Sequence, residues 1–418
     1  MITPVSDIMP VTLEQKSGAG DAGFGPRWYA RIVLIIGLLV ALIAAPAMIG
    51  TQSYALHILM SIFLFAILGH AWNLIAGFAG MLSFGQQAFI GLGGFAQALL
   101  IYYASVSVWT AWPVSGIAAS AFAWLLCLPI QARSSRRRVV FGVTLALLAW
   151  IGYEALINLF PDADVFQSTY VRRESLLLLI FLGALPLLKL RGAYFAIATW
   201  LIAEAVSTVF NGWSVSGAGG GMQLKSEVTQ LQLYYVALAL LTSTTAVIWI
   251  WMHSYQGLAL TAIRDDEDAA RSSGVDVDRV KMLVFIYSAA ITGLASGLYF
   301  MDVVIITPPS AFSISWAAYT VFIVVAGGMG TIAGPLVGAI LFIVIERLLG
   351  AAAGQGLLVL GILSIVLMLF LPRGVMGILS DISHKWRHRS LPLAETPVLS
   401  FGAELGAAES GPRNFTEV

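Results

Sequence analysis

Charged residues are scarce, 11% of 418 positions, where a soluble globular chain carries about a quarter. So little charge cannot cover a water-facing surface of ordinary size, which excludes a soluble globular protein. Cysteine is scarcer still. The single Cys127 lies in an apolar run, so neither a disulfide framework nor a cysteine-based metal site can form within one chain. The five histidines are His57, His70, His253, His384 and His388. Only His384 and His388 have a ligand-like spacing, and they sit beside Lys385, Trp386 and Arg387, a setting that suits an anionic lipid surface. No Ser-His-Asp set can be placed on one side of a membrane, and no glycine-rich stretch is followed by Gly-Lys-Ser/Thr, so the chain shows neither a hydrolytic triad nor a nucleotide-binding loop. No metal site or enzymatic activity is expected. Lys plus Arg and Asp plus Glu balance at 22 each, so net charge gives no sign of nucleic acid, and none is expected as a partner.

What fills the chain instead is hydrophobic sequence, 59% of residues with a mean hydropathy of +0.88. The charges crowd into short stretches between long apolar runs. A run of about 20 apolar residues spans the hydrocarbon core as a helix, and continuous runs indicate helices where alternating ones would indicate a barrel. The expected fold is an all-α polytopic transmembrane bundle of about 10–12 segments, embedded in a lipid bilayer. Twelve segments are read at 30–50, 54–76, 86–103, 113–130, 139–160, 175–190, 194–211, 233–253, 280–302, 316–333, 336–349 and 355–372. Those at 175–190 and 336–349 are short for a full span. The expected domains are an N-terminal cytoplasmic tail (1–29), a permease domain (30–376) and a C-terminal cytoplasmic tail (377–418). With the N-terminus inside, all of the 22 basic residues except Arg172, Arg173, Lys225 and Arg347 fall on the cytoplasmic side. Both termini are therefore expected in the cytoplasm.

The longest internal cytoplasmic loop is 254–279. Leu260, Ile263 and Ala270 form an apolar stripe at helical spacing, and Arg264, Asp268 and Arg271 form a charged one. A helix so patterned, lying between two spans, rests on the membrane surface or docks on a soluble partner, and Gly274 stops it as a C-cap. On the outer side the longest loop is 211–232, with the run Ser216-Gly217-Ala218-Gly219-Gly220-Gly221. Gly293-x-x-x-Gly297 is a close-packing motif, and the glycines of 77–85 are placed to break a helix near the cytoplasmic face.

Asp268-Ala269-Ala270-x-x-x-Gly274 resembles the Glu-Ala-Ala-x-x-x-Gly loop of ATP-binding-cassette (ABC) importer permeases, with Asp for Glu and without the Leu-Pro that often follows. Four further blocks resemble high-affinity branched-chain amino-acid importer permeases of the LivM-like type. They are Trp72-Asn73-Leu74-Ile75-Ala76-Gly77 with Ser83-Phe84-Gly85-Gln86, the stretch Leu190-Arg191-Gly192-Ala193-Tyr194 followed by Glu204, the stretch from Gly257 to Tyr299, and Gly327-Gly328-Met329-Gly330-Thr331-Ile332-Ala333-Gly334-Pro335. They occur in the family's order over roughly 54–103 and 186–376. Residues 113–186 carry more hydrophobic sequence than the pattern, as an extra helical hairpin would.

The resemblance implies a bacterial inner-membrane permease that binds no cofactor, with ATP on partner ATPase subunits. A second related permease and a periplasmic solute-binding protein would complete the importer. The coupling residues it implies are Arg264, Asp268, Ala269, Ala270, Arg271 and Gly274. Intramembrane polar groups are pathway candidates, and those within the family-like blocks are Asn73, Ser83, Gln86, Tyr194 and Glu204. His70 ends the second segment. Glu154, in the atypical region, suits a local structural role, and Glu346 with Arg347 suits a membrane interface. The substrate implied is a branched-chain amino acid, with urea, amides and small acids as related cargoes. The alternative is an ion-gradient-driven secondary transporter of small organic solutes, which needs paired ionisable groups near the midplane. A membrane-embedded enzyme would need a polar cluster at one depth, which the sequence does not contain.

Overall fold

A computed structural model of the chain describes residues 26–51, 53–131, 187–213, 216–217, 220–224, 228–349, 356–370 and 374–378. Apolar runs become helices because in hydrocarbon each backbone N–H and C=O must be bonded within its own segment. In chain order the helices are α1 (Pro26–Ile49), α2 (Tyr54–Asn73), α3 (Gln86–Tyr103), α4 (Val108–Gln131), α5 (Ala193–Gly212), α6 (Gln230–Met252), α7 (Tyr255–Asp265), α8 (Glu267–Ser272), α9 (Val277–Val303), α10 (Pro308–Ala311), α11 (Ser315–Gly327), α12 (Gly334–Leu349) and α13 (Gly356–Phe370). Six described helical stretches are long and apolar enough to cross a membrane, and Ile36–Ile49 of α1 is a shorter apolar one. The protein is a polytopic helical membrane protein. Two residues of β1 (Met222–Gln223) pair antiparallel with two of β2 (Ile305–Ile306), joining the connection before α6 to the one after α9.

Starts and stops follow local chemistry. Ser53 caps α2, its hydroxyl accepting from the Leu56 N–H, and Thr229 with Gln232 forms a capping box at α6. At its far end α2 continues into a π-turn (Leu74–Phe78), the chain runs non-helically through 79–85, and helix resumes at Gln86. The glycines of 77–85 thus separate α2 from α3 at a helix end.

Helices α2 and α9 form the centre. One core cluster, containing Leu56, Ile67, Tyr234, Phe300 and Phe342, surrounds the half of the bundle near α2's start. A second, containing Ile75, Phe89, Cys127, Leu187 and Phe285, fills the other half. The Gly293 motif packs as its spacing predicts. A Cβ at Gly293 would strike the Ser115 carbonyl and Ala119 of α4, and one at Gly297 would meet Gln97 and Ser115.

The predicted segment 139–160 and residues 175–186 of the segment 175–190 lie outside the described residues, and Leu187–Lys189 is a 3-10 turn. Glu154, Arg172, Arg173, Lys225, His384 and His388 also lie outside, as do both distal tails. Of the suspected hairpin 113–186, only 113–131, within α4, is described. The loops sort into two ends. One gathers 77–85, 190–192, 265–276 and 328–333. The other gathers the β1–β2 ladder, His57 with Asp302, and Tyr54 with Arg347.

Candidate functional site

The segment expected to be one amphipathic helix is two. Helix α7 buries Gly257, Ala259, Leu260 and Ile263, then breaks at Asp266, whose backbone is extended (φ −156°, ψ 114°). The break has a local cause. One Asp266 carboxylate oxygen accepts from the N–H groups of Asp268 (2.9 Å) and Ala269 (3.0 Å), capping α8. Helix α8 ends as predicted at Gly274 (φ +88°), in the left-handed region that glycine adopts without penalty. The Gly274 N–H donates to the Arg271 carbonyl and the Val275 N–H to the Ala270 carbonyl, both at 3.1 Å. This is a Schellman closure, and Val275 completes it by packing on the small cluster of Ile263, Ala270 and Val277.

The apolar stripe is therefore real, with Leu260, Ile263 and Ala270 all buried. The charged stripe is not continuous, because the break turns its members apart. Arg264 lies against the 77–80 loop, its guanidinium donating to the Gly77 carbonyl at 3.4 Å. Asp268 accepts two bonds from Arg191, at 2.7 and 2.9 Å. Arg271 turns to Glu267 (3.4 Å) and Asp278 (3.2 Å).

Glu267 is the hub of this network. Lys281 donates to it at 2.6 Å and Arg191 approaches at 3.1 Å. The Lys281 side chain is only 4% exposed and Glu267 13%, so a buried lysine at the start of α9 is neutralised by a carboxylate on α8. The hydrogen bonds from Arg191 hold the exposed Asp268 below the ordinary carboxylate range. Arg191 is itself raised by its bond to Asp268 and by the nearby Glu267, and Arg271 by its bond to Asp278. A cavity of about 320 Å³ lies between the coupling segment, 79–81 and 190–192.

A second set of bonds ties the 77–80 loop to the far hairpin. The fully buried Asn73 donates to the Thr331 carbonyl at 2.9 Å and accepts from the Gly330 N–H at 2.8 Å. A Cβ on Gly77 would occupy the space of the Asn73 amide and the Gly330 N–H, so this close approach requires glycine. Parts of all five family-like blocks therefore meet at one end of the bundle.

The five candidate pathway residues fall into two groups. Asn73, Ser83 and Gln86 are buried in the bundle. Ser83 accepts from the Trp72 indole through its carbonyl (2.7 Å), and Gln86 accepts from the Thr292 hydroxyl (3.0 Å). Tyr194 and Glu204 lie on the outward face of α5 with Trp200 and Thr208, and Tyr194 is 76% exposed. The structure does not bring the two groups into one cavity. His70 is buried beside the Thr245 hydroxyl at 3.2 Å. Arg347 stacks over the Tyr54 ring at 5.3 Å. Sequence reasoning passed over Asp266, Glu267 and Lys281 as site residues and gave Arg191 no role. A lone lysine opening an apolar span was the one available signal, since a buried ammonium needs a carboxylate nearby.

The family described as the permease component of the branched-chain amino acid transport system matches residues 54–172 and 177–372. The high-affinity branched-chain amino acid transport system permease protein LivM of Salmonella typhimurium is 28% identical over 353 residues, 82% of this chain and 74% of that protein. LivM of Escherichia coli is likewise 28% identical, over 355 residues with the same coverage of both chains. The permease protein LivH of Salmonella typhimurium is 29% identical over 176 residues, 41% of this chain and 55% of its own. No solved structure matches the chain.

Proposed function

The chain belongs to the branched-chain amino acid transport system permease family, and on that premise we propose that it forms half of an ATP-driven importer's path for branched-chain amino acids. It is a transport subunit and not an enzyme. In this reading ATP is hydrolysed on separate ATPase chains, a periplasmic binding protein delivers the solute, and the end bearing α7 and α8 faces the cytoplasm of a bacterial inner membrane. The charge bias of the loops supports that orientation.

The observation that carries the reading is the ion-pair network on α8. Helix α8 exposes Ala269 and is held to the rest of the protein by Glu267, Asp268 and the Ile263–Ala270–Val277 cluster. A partner chain that displaces α8 therefore moves Arg191 and the start of α5. Through Arg264 it also moves the 77–80 loop, and with it the 328–333 hairpin bonded to Asn73.

The outward face of α5 supports the second half of the reading. Glu204 sits midway along a helix of spanning length and faces away from its own bundle. A carboxylate facing acyl chains costs several kcal/mol, whereas a wet seam against a second, related permease removes that cost. Alternating access then rocks the two subunits about this seam.

The test is purification of the tagged chain from its own membranes, followed by reconstitution with whatever co-purifies. Stoichiometric ATPase and second permease, with ATP-dependent leucine uptake, are expected. Recovery of the chain alone, with uptake that follows an ion gradient, would replace this reading with secondary transport.

A further inference from the structure

We propose that a cavity at the end of the bundle opposite α8 binds small molecules carrying a primary ammonium group on an apolar body. The cavity has a volume of about 530 Å³ and is walled mainly by α2, α9, α11 and α12. That volume is within the range of small-molecule sites, roughly 300–1,000 Å³.

Its floor and mouth differ in chemistry. The floor is aromatic: Trp316 meets Tyr299 edge-on at 4.8 Å between ring centroids and stacks on Phe65 at 6.1 Å, with Tyr319 beside both. Beneath, Phe342 packs on Phe65 at 4.7 Å and on Tyr319 at 5.0 Å, so the aromatic layer continues below the cavity. The mouth is acidic. Asp302, in the last turn of α9, and Glu346, near the end of α12, both line it.

Neither carboxylate is ion-paired to a lysine or arginine among the described residues. Asp302 has the His57 ring beside it, its carboxylate oxygen 3.6 Å from Nδ1 and beyond hydrogen-bond reach. Arg347, the nearest permanent cation on the rim, is drawn aside over the Tyr54 ring. Unbalanced carboxylates above the faces and edges of several rings attract an ammonium twice, by Coulomb attraction and by cation–π contact. An apolar body of a few carbons then displaces water from the floor. A molecule bearing only a carboxylate meets two like charges at the mouth and gains nothing from the rings' negative faces.

Isopentylamine, L-leucine and 4-methylpentanoate share one branched carbon skeleton and differ in charge, so they separate these contributions. Binding is measured by calorimetry on the full chain in lipid nanodiscs with its co-purifying subunits. The expected result is that isopentylamine and leucine bind, and 4-methylpentanoate binds at least tenfold more weakly than the amine. Asp302→Asn, nearly isosteric, is expected to weaken amine binding at least tenfold, and Glu346→Gln, at an exposed position, severalfold. If Asp302→Asn is not recovered as folded protein, Glu346→Gln and Trp316→Leu carry the test. Absence of amine binding, equal binding of amine and carboxylate, or amine binding unchanged in the folded variants would each overturn the proposal.

Discussion

Arg191 and Asp268, 77 positions apart in the chain, meet in a two-bonded ion pair of 2.7 and 2.9 Å. Paired bonds of this kind fix orientation as well as distance. Their position between the start of α5 and the first turn of α8 makes the pair a mechanical link, although both side chains are more than half exposed and an exposed pair adds little stability.

Breaking the link should separate function from folding. Arg191→Glu and Asp268→Arg are each expected to cut ATP-driven uptake at least tenfold with normal membrane insertion. The combined exchange should restore part of it, and a double exchange no better than either single one would sever the link from transport. Because Asp268 is held below its ordinary range, its contribution is present above the usual carboxylate pKa and lost only as pH falls through the lowered value. The uptake ratio of Asp268→Asn to the parent should therefore stay flat from about pH 8 to about pH 6.

The buried half of the network should behave in the opposite way, through stability. Glu267→Gln leaves the Lys281 ammonium, 3% exposed as a residue, without its carboxylate. Uncompensated buried charge costs about 3–5 kcal/mol, so thermal unfolding in detergent should move down by several degrees. Lys281→Met should cost less, because Arg191 and Arg271 still face Glu267. Equal melting shifts for the two variants would contradict the assignment of Glu267 as hub.

At Gly274 the space around the α-carbon is open, so only the backbone angle restricts the residue. Asn tolerates the left-handed region and should retain most uptake, and Ala should lose about 1 kcal/mol of local stability. Pro removes the N–H that donates to the Arg271 carbonyl and should abolish uptake in protein that still inserts. Uptake by Gly274→Pro at the parental rate would mean that the Schellman closure plays no part in coupling.

The α5 face offers a chemical test. The single native thiol, Cys127, is buried. Glu204→Cys in a Cys127→Ala background should react with a small maleimide at least tenfold faster in the assembled transporter, where a wet seam lets the thiol ionise, than in the isolated chain, where acyl chains or detergent cover it. Equal rates would show that this face is not the seam between subunits.

Most spans were legible because length and apolarity are local properties, and α2, α3, α6 and α9 follow the predicted segments closely. The Gly274 cap was legible for the same reason. The break at Asp266 was not, since four consecutive acidic residues, Asp265-Asp266-Glu267-Asp268, look alike until one of them turns its carboxylate to the backbone. The partner of Asp268 was hidden because no periodicity links positions 191 and 268. Asn73 was read as a pathway candidate from its polarity and depth, and what its amide holds, the 330–331 backbone, lies some 250 residues away; its hydrogen-bond separations are 257 and 258.

The two-residue ladder between Met222–Gln223 and Ile305–Ile306 looks minor, yet it constrains how α5 can move. The chain after α5 is fastened through this ladder to the end of α9, and the chain before α5 is fastened through Arg191 to the helix that precedes α9. A rod tethered near both ends to one neighbour cannot swing freely away from it. Its remaining easy motion is a turn about its own long axis, which would carry Glu204 along an arc as α8 shifts the tether at Arg191.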